Sequence, residues 1–449
     1  MPDMTNQQMK QLLEKALSFS KAEACEANIF GGQGGNIRYA RNSVSTAGAN
    51  DDTTLVVQSN FGTRTGTVTL NEFDDASVER GVRRSEELAK LAPEDPEFMP
   101  PLGPQQYVAP SAKAYAPATA QITPEYRARV AGSSITPAST RDCTAAGFFQ
   151  DGSNWQSMMN TAGLTAFYRS TQASLSVTVR SNDGTGSGYV ARDWNDVAGF
   201  NPEETSAIAL EKAVASRNPV AIEPGKYTVI LEPEAAVEML QPLVGSFNAR
   251  QTDEGRSFLS KPGGASKLGE KFVDERVSIW SDPQDTDVPA SPWIGDGRPT
   301  VRTPWIDKGV VSNLFYSRYW AKKQNKPATP FPTNMIMAGG SSSVEDMIRD
   351  TARGILVTRF WYIRFVDPQT LLLTGLTRDG TFFVENGKIK HAIKNMRFNE
   401  SPVIMLNNIL AMGKPVRVSA SESGNAGAPV VVPALRVRDF NFTSLSDAV

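Results

Sequence analysis

"TRDGTFFVENGKIKHAI", residues 377–393, decides the fold class. Apolar and polar residues alternate around two dipeptides, Asp379-Gly380 and Asn386-Gly387. Strand side chains point alternately to opposite faces, and Asp-Gly or Asn-Gly supplies the positive φ of a two-residue hairpin turn. The segment therefore predicts a three-stranded antiparallel meander. Strand-like runs surround it: KYTVILE, RVSIWSD, MIMAGG, ILVTRFWYIRFV and TLLLTGLT before it, VVVPALRVRDFNF after it. A helix is expected over 402–412, opened by Pro402.

The first half mixes the two element types. Met9, Leu12, Leu13, Ala16 and Leu17 form a helical stripe behind Thr5, a good N-cap. Strand-like pieces follow, EACEANIF, NIRYARNSVSTAG, TTLVVQSNF and TRTGTVTLN, with GGQGG, AND and FG read as the turns between them. Residues 74–91 return to helix. Prolines 93, 96, 100, 101, 104, 110, 117 and 124 then exclude regular structure and predict a long wrapping segment. After a helix from Pro124, the strands FFQDGSNWQSMMN, LTAFYRSTQASLSVTVRS and SGYVARDWNDV are expected to turn at Asp151-Gly152 and at Asn182-Asp183-Gly184. A helix over 202–216 ends this half. The pattern is α+β, with an N-terminal helix and antiparallel-sheet domain over 1–220 and a C-terminal β-rich domain with a few helices over 221–449.

The totals exclude several function classes. The chain has 449 residues, 46 Lys+Arg against 48 Asp+Glu, and a formal charge of -2. That balance lacks the basic excess of a nucleic-acid protein. Two cysteines, Cys25 and Cys143, make no disulfide framework. No run approaches the roughly 18 apolar residues of a spanning helix, and the polar N-terminus does not resemble a signal peptide. A soluble cytoplasmic protein is expected. The single histidine is His391. A catalytic zinc site usually takes two or three histidines from one chain, and a Ser-His-Asp or Cys-His mechanism would have only this imidazole.

Each candidate group has a plain structural reading. His391 alternates with Ile389 and Ile393, which reads as a packed or interfacial histidine. Cys25 and Cys143 read as buried and inert. The Gly31–Gly35 run lacks a phosphate-loop spacing and reads as a flexible turn. Ser342 with Glu345 fits a capping box. Ser18–Lys21 matches S-x-x-K without the K-T-G element that would accompany it. In "YTVILEPEAAVEMLQPLVGSFNAR", 227–250, a strand breaks into a helix carrying Glu234 and Glu238 one turn apart. Ala236, Leu240, Leu243, Val244 and Phe247 form its core-facing stripe, so the two glutamates read as a solvated face. Pro242 is expected to kink or break that helix.

Taken together, "IRYARNSVSTAGANDDTTLVVQSNFGTRTGTVTLNEFD", "PEDPEF", "EPGKYTVILEPEAAVEML", "GSFNAR", "MAGGSSSVEDMIRDTARGILVTRF", "VDPQTLLLTGLTRDGTFFVENGKI" and "GAPVVVPALRVRDF" resemble the TldD/PmbA family of metallopeptidases, also called modulators of DNA gyrase. The resemblance covers nearly the whole chain and lies in the order and spacing of the segments. It implies a metal site with H-E-x-x-x-H on the helix after the "VIL-P" strand and a cysteine near the C-terminus. Those positions fall on Ala236, Val237 and Gln241, and near Ser421. None of these residues is a usual zinc ligand, and no histidine precedes His391.

The resemblance therefore implies the PmbA/TldE-like branch, without catalytic, cofactor or metal residues of its own and inactive alone. Such a chain is expected to pair as a heterodimer with a TldD-like subunit that carries the zinc, the two together cleaving unfolded or modified peptides. The alternative is an inactive homodimer or higher homo-oligomer that binds peptides or small ligands. Neither reading involves nucleic acid or membrane.

Overall fold

The computed structural model describes residues 4–419 and 428–446. Its first half is one antiparallel sheet of six strands: β1 (Ala24–Ala40), β2 (Ser43–Phe61), β3 (Arg64–Leu70), β4 (Cys143–Asn160), β5 (Thr165–Ser181) and β6 (Ser187–Trp194). Their spatial order is β3-β2-β1-β4-β5-β6. The 17 residues of β1 span about 55 Å at the usual rise per residue. Four helices lie against one face: α1 (Asn6–Phe19) and α2 (Asp75–Leu91) toward one end, α4 (Pro124–Thr140) and α5 (Pro202–Ala215) toward the other, with the short α3 (Pro117–Ala120) between in sequence. Thr5 caps α1 as expected, accepting from the Gln8 amide at 3.2 Å while the Gln8 side chain accepts from the Thr5 amide at 2.9 Å.

Two core clusters sit under the helices. Met9, Leu13, Ile29, Leu55, Val57, Val78 and Val82 belong to one; Phe149, Leu175, Val177, Val190, Ala209 and Leu210 belong to the other. The strands alternate accordingly. Ala27, Ile29 and Ile37 of β1 face the helices, while Glu26, Asn28, Phe30 and Gly32 lie on the opposite, outer face.

Two expected turns are strand interior. Gly31–Gly35 lies within β1, and Asp151-Gly152 lies opposite Gly35 and Gly34 within β4. The glycines are there for close approach: a Cβ on Gly31 would lie 2.4 Å from the Asp52 carbonyl oxygen, and one on Gly35 2.3 Å from the Arg127 guanidinium carbon. Arg127 is tied to Asp151 by two hydrogen bonds, 2.6 and 2.8 Å long. The AND segment is likewise inside β2. The real β1–β2 turn is Arg41-Asn42, both at positive φ (53° and 57°), which the sequence reading had placed inside one strand.

In the second half, strand Gly225–Leu231 pairs in parallel with Arg353–Asp367 and antiparallel with Leu435–Leu445. The path continues through Met396–Glu400 to Leu372–Glu385, which returns to pair with Arg353–Asp367, so the five strands close on themselves. Lys388–Ala392 is added at the edge. A second sheet runs in the order 310–311, 303–307, 279–281, 335–337, 430–432, 416–418. Asn386-Gly387 forms the predicted turn. Asp379-Gly380 does not: it lies inside strand Leu372–Glu385, where the pairing register slips opposite Val357–Arg359. The positive φ values (55° and 112°) are present, but they serve a β-bulge. The expected helix over 402–412 stops at Asn407, and Ile409–Met412 is a strand. No helix among the described residues is long and apolar enough to cross a membrane.

Candidate functional site

Strand Gly225–Leu231 ends at Glu232, and Pro233 opens α6 (Pro233–Gly245) with its φ already set for a helix. α6 is buried on nearly all sides. Ala235, Ala236, Val237, Met239, Leu240, Leu243 and Val244 all belong to the main core of this half. Glu234 and Glu238 are also buried, at 3% and 9% exposure, so they are not a solvated face. An apolar stripe on one side of a helix does not reveal whether a second layer covers the other. Here strands Arg353–Asp367, Val416–Val418 and Val430–Val432 and the helix Pro402–Asn407 pack around α6, and Arg192 of the first half covers Glu234. Pro242 does not end the helix: α6 runs on to Gly245, and the Ser246 amide donates to the Pro242 carbonyl at 3.2 Å.

The cover is built from paired charges. Arg192 of β6 forms an ion pair with Glu234, and Lys212 of α5 bonds Glu232 at 2.5 Å. Burial by itself would push the Glu234 carboxyl up, but the Arg192 and then the Lys212 charges hold it below its ordinary value. Along the same edge, Arg417 donates to Asp193 at 2.9 and 2.5 Å and to Asn195 at 2.7 Å, and Ser419 donates to Asp193 at 3.1 Å. Further along, Ser187 donates to Asp379 at 2.5 Å, Arg359 pairs with Asp379 at 2.8 Å, and the Arg359 guanidinium carbon sits 3.6 Å above the centre of the Tyr189 ring. None of these partners was visible in sequence, because they lie from 20 to 226 residues apart.

Three of the four positions that the resemblance implies for the metal site lie on α6. Ala236 and Val237 are fully buried and Gln241 is half-buried, all on α6. Ser421 lies outside the described residues. The strand leading toward it, Val416–Val418, packs against α6 and is pinned to β6 through Arg417. α6 therefore stands beside the approach to the fourth position, but with methyl groups and an amide instead of donors. These residues do not fit a zinc ion. Among the described residues, no group of three His, Cys, Asp or Glu side chains is placed to hold a metal.

The other sequence candidates are packed. His391 stacks on Phe383 with centroids 5.5 Å apart, and its Nδ1 lies 3.0 Å from the Ala392 carbonyl oxygen. Cys25 and Cys143 are buried, and burial pushes the Cys25 thiol up. The capping box is real but one residue later than expected: Ser343 and Asp346 form it, not Ser342 and Glu345.

Two hollows flank the charged edge. One, of about 490 Å³, lies between the halves, among Ser187, Ser216, Asp379, Thr381 and Lys394. The other, of about 440 Å³, opens on the outer face of the first sheet. Phe30, Asp52, Asn154, Gln156 and Tyr168 surround its floor at Gly32. Tyr168 lies near enough to Arg417 to feel its charge, and Gln156 donates to Ser291 at 2.9 Å, so this hollow borders the second half of the chain.

Comparison with known proteins agrees with this architecture. Residues 224–444 match the PmbA/TldA metallopeptidase C-terminal domain, and residues 122–217 match the central domain of the same family. An uncharacterized protein of Methanocaldococcus jannaschii is 30% identical over 161 residues, 33% of this chain. A metalloprotease of Methanothermobacter thermautotrophicus is 22% identical over 312 residues, 63% of this chain. The matched regions span 37% and 65% of those relatives' own lengths. The crystal structure of TldE from Thermococcus kodakarensis superposes with a TM-score of 0.85 at 16% identity, covering 97% of this chain and 99% of that one. A proposed DNA gyrase modulator of Thermotoga maritima gives 0.84 at 17% identity, covering 97% and 100%.

Proposed function

Because this chain belongs to the PmbA/TldD metallopeptidase family, we propose that it is a TldE-like subunit without a metal site of its own. It pairs with a TldD-like subunit that holds the zinc, and the pair cleaves unfolded or modified peptides in the cytoplasm. Zinc held by the partner would supply the hydrolytic chemistry. This chain shapes the cleft and holds the peptide, with residues 1–220 and 221–449 as its two units. One feature carries the reading: Ala236 and Val237, both buried on α6, stand at the positions where the resemblance implies the metal-binding branch's His-Glu pair. The likeness to a TldE structure supports it.

The test measures hydrolysis of an unfolded peptide by this chain, by a TldD-like partner, and by their mixture. Full activity is expected only in the mixture, with zinc recovered in the partner. Chelator-sensitive hydrolysis by this chain alone would overturn the proposal. A symmetric dimer of this chain, unchanged in light scattering when the partner is added, would favour a peptide-binding homo-oligomer instead.

A further inference from the structure

The hollow on the outer face of the first sheet has a specific chemistry. Its floor is the backbone at Gly32, where a Cβ would sit 2.7 Å from the Asn154 side-chain oxygen. Phe30, 49% exposed, and Tyr168 supply aromatic rings. Asn50, Asp52, Thr54, Asn154, Gln156 and Ser170 supply oxygen acceptors around them. The lining holds one carboxylate and no cationic side chain. Asp52 makes no ion pair among the described residues. Glu26 adds a second carboxylate to the same face of β1.

A half-exposed aromatic ring beside an unneutralised carboxylate and several carboxamide oxygens suits an organic cation. A neutral sugar could use the amides but would gain little from a full charge at Asp52. A guanidinium uses every part: its face stacks on a ring, and its five N–H donors meet the acceptors. We propose that this hollow is a binding site for a guanidinium group, namely an arginine side chain of the peptide held in the cleft. The identity of the peptide as substrate rests on the function proposed above; the binding of the guanidinium does not.

The experiment therefore uses this chain alone. Calorimetric titration with Nα-acetyl-L-arginine amide is compared with its citrulline counterpart, a neutral isostere. The arginine probe is expected to bind saturably, and the citrulline probe about five-fold more weakly or less, as befits a partly exposed charge pair. Asp52→Asn is expected to remove that preference. Phe30→Ala is expected to weaken the arginine probe about three-fold through the lost cation–π contact. Both positions are solvent-accessible, so the variants should fold, and circular dichroism checks this. Equal binding of the two probes, no saturable binding, or an Asp52→Asn variant that still prefers arginine would each overturn the site. Loss of the site with intact hydrolysis by the mixed subunits would leave the subunit reading standing. Binding without any mixture-dependent hydrolysis would do the reverse.

Discussion

Glu234 is buried yet keeps its charge, because Arg192 and Lys212 face it. Removing one member of a buried pair leaves an uncompensated charge, which typically costs about 3–5 kcal/mol. Arg192→Met should destabilise the chain by roughly that amount in urea unfolding. Adding Glu234→Leu should recover most of it, since a well-packed apolar pair can replace a buried ion pair. A loss equal in the single and double variants would show that Arg192 acts through packing alone. The sign of the pH effect follows from the same pair. A carboxyl whose folded pKa is lowered contributes stability fully above its unfolded pKa and loses it as pH falls through the folded one. Stability should therefore decline below about pH 4.5, and decline less steeply in the double variant. Urea midpoints measured from pH 3 to 7 test this.

At the scale of elements, local chemistry was legible wherever a single segment sufficed. The Thr5 cap, the Asn386-Gly387 turn and the proline-rich stretch as far as Ala116 all needed only their own neighbours, while the short α3 (Pro117–Ala120) inside that stretch was not expected. Gly31–Gly35 and Asp379-Gly380 were misread because glycine reports a backbone need without its cause. In β1 the need was close approach by β2 and Arg127; at Asp379-Gly380 it was a bulge. Gly380→Ala places a Cβ 2.8 Å from the Thr358 hydroxyl at φ 112°, and should cost about 1–3 kcal/mol. Gly184→Ala, at φ 75° with nothing within 4 Å, should cost less and serves as its control in thermal melts. α6 itself was placed correctly, but its burial was not legible. Placing metal donors there should fail for that reason. Ala236→His with Val237→Glu puts two larger polar groups into a filled core, and should cost about 3 kcal/mol or more without stoichiometric zinc uptake. Metal analysis of the purified variant, beside its melting temperature, checks both parts.

Across the whole molecule, the two halves are joined by contacts that no local pattern announces. Asp193 with Arg417 and Ser187 with Asp379 and Arg359 lie nearly out of solvent, and Trp293 shares a core cluster with Met158, Leu164 and Tyr168 of the first half. Sequence reading divides the chain at a change of pattern, but it cannot weigh a seam whose partners are some two hundred residues apart. A seam of charge pairs couples two bodies strongly, because separating them strands buried charges on both sides. The halves should therefore melt as one calorimetric transition. Asp193→Asn and Asp379→Asn remove two of the carboxylates at the seam while keeping side-chain size, and Asn tolerates the positive φ at position 379. The guanidiniums of Arg417 and Arg359 then lose their counter-charges, so the combined variant should unfold in two resolved steps, the first at a lower temperature than the parent. Scanning calorimetry at neutral pH decides between outcomes. A single transition that merely shifts downward would mean that the remaining Arg192–Glu234 and Lys212–Glu232 pairs and the apolar contacts around Trp293 suffice to hold the halves together. A parent that already melts in two steps would mean the seam couples them weakly.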